Sequence, residues 1–284
     1  MNATCVGTFP SDQPVLQRAF GRLHVAVRRS GEATALGGLR QEGCLKARFP
    51  RAAEDGWRGV VVLNSSGGVA GGDDLATDLV AGPGARMSVA AQAAERFYRV
   101  LPGAAPARVR TTITVGTGAV VEWLPQESIL FDRSGLDRVL TIDLAEEARF
   151  LGVECLVFGR TAMGEAVREA TVQDRIVLRR AGMALLHDAV RMAGDVGALL
   201  ALPAVAAGGA AVGTLVLAAP EAAGLCDPLR AALAVPGVEA GVSAWNDLLL
   251  GRVVAGDGAC LRAAIVAGLA VLRDGRPLPR VWLC

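Results

Sequence analysis

The sequence predicts a mainly β fold on three observations. Apolar residues recur at every second position in short runs from Leu16 to about Leu200, Gly, Pro and Asp punctuate those runs, and helical spacing surfaces mainly near the end of the chain. Arg108 to Val115 shows the alternation most cleanly, with Val109, Thr111, Ile113 and Val115 on one face. The same character marks Gly59 to Leu63, Arg86 to Ala91, Ala119 to Leu124, Val139 to Leu144, Phe150 to Phe158 and Arg175 to Leu178. Near the end, Leu261, Ala264, Ile265, Gly268, Leu269 and Leu272 follow three-and-four spacing, with Asp257 placed as N-cap and Gly275 and Pro277 as a stop. Two shorter helices are expected, around Asp227 to Leu233 and over Ala93 to Arg99. No linker and no fixed-period repeat divides the chain, so residues 1–284 read as a single domain with a polar tail at 1–14.

Hydrophobic residues make up 52% of the 284 and charged ones 20%, enough apolar surface for a folded core. Twenty-nine basic residues against 28 acidic ones leave a net charge of +1, which excludes a global field for nucleic acid or an anionic membrane. The six cysteines (Cys5, Cys44, Cys155, Cys226, Cys260, Cys284) are scattered, without the CxxC or Cys/His spacing of zinc sites, and suit a reducing cytosol. Met1 to Pro14 lacks the basic region and apolar run of a secretory signal, so the expected location is cytoplasmic. Val196 to Ala219 carries no charge and is long enough to raise the question of a membrane span. It holds Pro203 and four glycines, lacks Trp or Tyr at its ends, and reads better as two buried strands turning at Gly208-Gly209.

Three segments carry the acids that matter. The first, Asn64-Ser65-Ser66-Gly67-Gly68-Val69-Ala70-Gly71-Gly72-Asp73-Asp74, places two glycine pairs between apolar runs. A phosphate loop would need Lys and Ser/Thr after the last glycine, or GxGxxG opening a helix, and Asp73 and Asp74 would repel phosphate. Two readings stay open there: a tight strand-to-strand turn, or an acidic cavity lined by backbone. The second, Glu122-Trp123-Leu124-Pro125-Gln126-Glu127-Ser128-Ile129-Leu130-Phe131-Asp132, sets three acids in an apolar strand, turn and strand, and Glu122 with Glu127 has the composition of a glycosidase pair. In the third, Glu154 lies inside the apolar run Leu151 to Phe158, and the loop Gly159 to Glu165 again ends in an acid.

Taken in order, these segments resemble the UreD (also called UreH) family of urease accessory proteins, marked by a GGxxGGD loop, a WLPQExILF segment and an FGRxAxGE loop. The resemblance extends to Tyr98 after Gln92 and Glu95, to Asp174-Arg175-Ile176 and to Leu278-Pro279-Arg280-Val281-Trp282, so it covers nearly the whole chain. Ser65-Ser66 and the terminal Cys284 depart from the pattern, and neither touches the acids. The resemblance implies a single β-helix-like body of stacked strands with a few C-terminal helices. It also implies a scaffold without catalysis, UreF, the GTPase UreG and apo-urease as partners, and nickel as transient cargo with no permanently bound cofactor. On that reading Asp73, Asp132, Glu154 and Glu165, with Glu122 and Glu127, line an internal path for nickel. Carboxylates hold Ni²⁺ more weakly than imidazole or thiolate, which suits a metal that moves on. His24 and His187 stand far apart without a neighbouring ligand and read as structural. The alternatives are a β-rich glycoside hydrolase using Glu122 and Glu127, and a protein-binding module without a metal role.

Overall fold

A computed structural model describes residues 17–50, 55–160 and 164–283. The expected tail at 1–14 lies outside the described residues. The chain enters through β1 (Phe20–Ser30), β2 (Ala33–Gly43), β3 (Leu45–Arg48) and β4 (Arg58–Asn64). The middle follows as β5 (Asp74–Ala81), β6 (Arg86–Ala91), β7 (Glu95–Phe97), β8 (Ala107–Val115), β9 (Val120–Leu124), β10 (Ser128–Leu130), β11 (Ser134–Leu144) and β12 (Arg149–Phe158). It closes with β13 (Glu169–Arg180), β14 (Met183–Asp195), α1 (Val196–Ala201), β15 (Ala211–Ala218), α2 (Cys226–Ala232), β16 (Val238–Trp245), β17 (Leu248–Ala255) and α3 (Gly258–Leu272).

These strands form two mixed sheets. The first runs β14-β13-β11-β8-β5-β1-β2, parallel from β13 to β1 and antiparallel at both edges. The second runs β16-β17-β15-β12-β9-β6-β4-β3, parallel from β12 to β4 and antiparallel outside that stretch, with β10 joining β12 to β7. Parallel neighbours need a crossover, usually a helix. Here the crossover is a strand of the opposite sheet, since β6, β9 and β12 intervene between β5, β8, β11 and β13. The fold is therefore mainly β as expected. Its antiparallel edges make the sheets mixed, which the picture of uniformly stacked strands does not include.

Between the sheets lies one apolar layer, with Val25, Leu79, Ile113, Ile142 and Val172 meeting Met87, Val121 and Phe150. The far side of the second sheet is covered by α2 and α3, where Leu151, Val153, Leu215 and Leu249 pack against Leu229, Leu261, Ile265 and Leu269. Strand β12 is thus buried on both faces, which explains its nearly unbroken apolar sequence. The outer face of the first sheet carries ion pairs across strands, among them Arg22–Asp74, Arg110–Asp74 and Arg175–Asp137.

Helix α3 forms where its spacing predicts. Asp257 accepts a hydrogen bond from Cys260 N at 2.8 Å, and Gly275, at φ 70°, donates its N–H to Ala270 O at 2.9 Å to close the end. Two expectations are corrected. Ala93 to Arg99 contains the strand β7 and no helix, because the backbone of Glu95–Phe97 pairs with β10. Val196 to Ala219 is a short helix and one strand instead of two strands, with Asp195 capping the helix by accepting from Ala198 N at 2.8 Å. Among the described residues no helix is long and apolar enough to cross a membrane.

Candidate functional site

A cavity of about 300 Å³ lies between the two sheets. Leu45, Val62, Leu75, Val109 and Leu140 form apolar wall, while Asn64, Glu95, Ser128, Arg138 and Glu154 supply the polar lining. Strand parity places the central charges. On β11 the even residues Leu136, Leu140 and Ile142 face the inter-sheet core, so Arg138 faces it too. On β13 Asp174 shares a face with Val172 and Ile176, and it is the direct neighbour of Arg138 across the parallel pair. On β12 Phe150, Leu156 and Phe158 point inward, so Glu154 enters the same space from the opposite sheet.

The result is one guanidinium held by two carboxylates. Arg138 Nε and Nη2 donate to the two oxygens of Asp174 at 2.8 and 2.6 Å, and Nη1 lies 2.7 Å from Glu154 Oε2 and 2.9 Å from Ser128 Oγ. Trp123 Nε1 donates to the other Glu154 oxygen at 2.8 Å. Burial pulls the Arg138 guanidinium toward neutrality, but Asp174 and Glu154 outweigh it and raise its pKa. Burial, reinforced by the Asp174 charge and opposed by Arg138, holds the Glu154 carboxyl above the usual range. Glu95, also on the cavity wall, is raised by burial against a hydrogen bond from Asn64 Nδ2 at 3.2 Å.

The other acids singled out in the sequence have different surroundings. Asp73 is 4% exposed and accepts from Ala19 N and Ala70 N, both at 2.7 Å, which ties the glycine loop to the strand entering β1. Asp132 accepts from Arg168 N and Glu169 N at 2.8 and 3.0 Å, and the bond from Glu169 foremost holds its pKa below the ordinary carboxylate value. Glu165 takes a bond from Arg160 Nε at 2.7 Å. Glu122 faces away from the cavity, toward the helices, where Arg273 Nε donates at 3.0 Å and Arg276 also binds it. Glu127 accepts from Arg262 Nη1 at 3.0 Å on the same side. Of the six, Glu154 lines the cavity. Arginines close both members of the Glu122 and Glu127 pair, so the two carboxylates do not flank a substrate cleft. Among the described residues no three His, Cys, Asp or Glu side chains converge as a metal-holding group.

The sequence segments that resemble one another also stack. Val69 bridges Phe97 in parallel, Phe97 pairs with Leu130, and Leu130 pairs with Phe158, so the three motif loops and β7 leave the cavity on adjacent rungs. Gly68 is required there: a Cβ would lie 2.3 Å from the Tyr98 ring, and its φ is 137°. Arg138, Asp174 and Glu95 are not among the site residues that the sequence predicts. The available signal was the parity of β11, which sets an arginine among inward apolar positions and so demands a buried acid.

The cavity is thus walled by two sheets, largely apolar, with Glu95 and Glu154 as its acids and the Arg138 ion triad at its side. A profile described as "UreD urease accessory protein" matches residues 19–283. The chain is 44% identical over 266 residues to "Urease accessory protein UreD" of Rhizobium rhizogenes, covering 94% of this chain and 96% of that one. It is equally identical over 266 residues to "Urease accessory protein UreD 3" of a Bradyrhizobium species (94% of each), and over 271 residues to "Urease accessory protein UreD" of Xanthobacter autotrophicus (95% and 92%). The chain belongs to the UreD family of urease accessory proteins, whose members are non-catalytic.

Proposed function

We propose that this chain is a metallochaperone scaffold required for nickel insertion into apo-urease, acting with UreF and the GTPase UreG in the cytoplasm, and that nickel crosses its interior as transient cargo. The observation that carries the proposal is the inter-sheet cavity with Glu154 and Glu95 on its wall, beside which Glu154 and Asp174 share the single guanidinium of Arg138. Two carboxyl groups set against one guanidinium offer more oxygen ligands than the cation occupies, which favours an entering divalent ion. A path assembled from carboxylates without thiolate or imidazole holds Ni²⁺ loosely enough to release it. Asp73, close enough to Glu95 to raise its pKa, and Asp132 and Glu165, on the loops stacked beside it, extend the acidic lining on this reading, with Glu122 and Glu127 as outlying members. The alternation of strands between the sheets and the rung-like column at Val69, Phe97, Leu130 and Phe158 support a β-helix-like winding of one domain.

The test is Glu154→Gln, which keeps the shape and removes the charge. Urease activation and its nickel content should fall while co-purification with UreF, UreG and apo-urease stays at wild-type yield. Full activation at full nickel occupancy would overturn the path.

A further inference from the structure

The stacked rungs have an outer edge that the cavity does not use. Arg99, Arg133, Arg160 and Arg168 all stand exposed on it. Their backbones are adjacent: Val100 N donates to Arg133 O at 2.8 Å, Arg133 N to Glu169 O at 2.7 Å, and Arg168 N to Asp132 Oδ1 at 2.8 Å. Tyr98 and Phe131 meet edge to face at 5.2 Å in the middle, and the Arg160 guanidinium covers Phe131 at 4.4 Å. The acids of the edge are engaged: Asp132 by two backbone N–H groups, Glu165 by Arg160, and Glu169 at 3.7 Å from Arg133. Among the described residues the side chains of Arg99 and Arg168 make no hydrogen bond or ion pair. In a chain of net charge +1 this is a local excess of cations around an aromatic pair.

We propose that this edge is a docking surface for a carboxylate-rich segment of a partner protein. Unpaired guanidinium groups next to aromatic rings match the composition of protein recognition surfaces, in which Arg and Tyr are enriched. Glu165 and Glu169 lie among the arginines, an arrangement that interleaves with a mixed protein surface and repels the unbroken anionic charge of nucleic acid. Arg99, Arg133, Arg160 and Arg168 lie outside the cavity lining, so changing these arginines leaves the cavity wall intact, while Asp132 and Glu165 belong both to this edge and to the acidic path proposed above.

The experiment is fluorescence anisotropy of a labelled glutamate-rich peptide, and separately of a labelled DNA duplex, titrated with the full chain at low and high salt. The peptide should bind, more weakly as salt is added, and more tightly than the duplex. The double variant Arg99→Glu, Arg168→Glu, which breaks no internal contact, should lower peptide affinity about tenfold or more, since each exposed attraction becomes a repulsion. Arg28→Glu on the distant β1–β2 hairpin should leave it unchanged. Equal peptide binding by the double variant, or tighter binding of the duplex, would overturn the proposal.

Discussion

Arg138→Met removes the one cation that two buried carboxylates share. Arg138, Glu154 and Asp174 are 8%, 7% and 8% exposed, so bulk water is held off the lost contacts, and among protein groups Glu154 keeps only its bond from Trp123. Breaking a buried pair by deleting one partner costs roughly 3 to 5 kcal/mol. At about 2 to 4 °C per kcal/mol for a chain of this size class, the unfolding midpoint should drop by roughly 10 °C. Arg138→Met with Glu154→Gln and Asp174→Asn replaces the triad by neutral groups and should regain most of that loss, because the cost lies in the stranded charges and not in the missing attraction. Thermal or denaturant unfolding of the three proteins decides it. A single variant within about 1 kcal/mol of wild type, or a triple variant less stable than the single, would refute the assignment of a buried triad in which one cation holds two carboxylates.

Asp73→Ala strands the N–H groups of Ala19 and Ala70 and should cost about 1 to 3 kcal/mol, read by denaturant unfolding, with complex yield falling in step with activation. Asp257→Ala deletes the cap of α3 and should cost about 1 kcal/mol by the same measurement. The pKa of Glu154 is raised in the folded protein above its ordinary 4.5, so between 4.5 and its folded value the folded chain keeps a proton that the unfolded chain has lost. Its contribution to stability therefore declines as pH rises through that window, and Glu154→Gln should flatten the pH dependence there. Asp132 works in the opposite sense: its folded pKa is lowered below 3.8, so its contribution is present above 3.8 and disappears as pH falls through the folded value. Stability curves of Glu154→Gln and Asp132→Asn against wild type separate the two.

Much of the strand content was legible because one face is buried and the other wet, as on β8, where Ala107, Thr111, Ile113 and Val115 turn inward between exposed Arg108, Thr112 and Thr114. Helix α3 was legible for the matching reason, with its cap at Asp257 and its buried stripe in phase. The segment Ala93 to Arg99 misled because Ala, Glu and Arg favour helix locally, while the pairing of β7 with β10 and the bridge from Val69 to Phe97 decide its backbone. The candidate site divides in the same way. Glu154 stood out as an acid in an apolar run, but its companions Arg138 and Asp174 become neighbours only through the register of β11 on β13, 36 residues apart in the chain. Glu122 and Glu127 attracted attention as a pair, and what occupies them, Arg273, Arg276 and Arg262, comes from the far end of the chain, beyond the reach of local pattern.

The central claim is passage of nickel through the inter-sheet cavity, and a blocked cavity tests it most directly. Val109 lines that space from β8, away from the arginine-rich edge, and Val109→Trp would fill it. Purified complexes of wild type and variant, matched for the amounts of UreF, UreG and apo-urease they carry, should be supplied with nickel and the metal bound to urease counted. The account predicts wild-type assembly and little nickel in the urease held by the variant. Equal nickel in both, from equally assembled complexes, would contradict it.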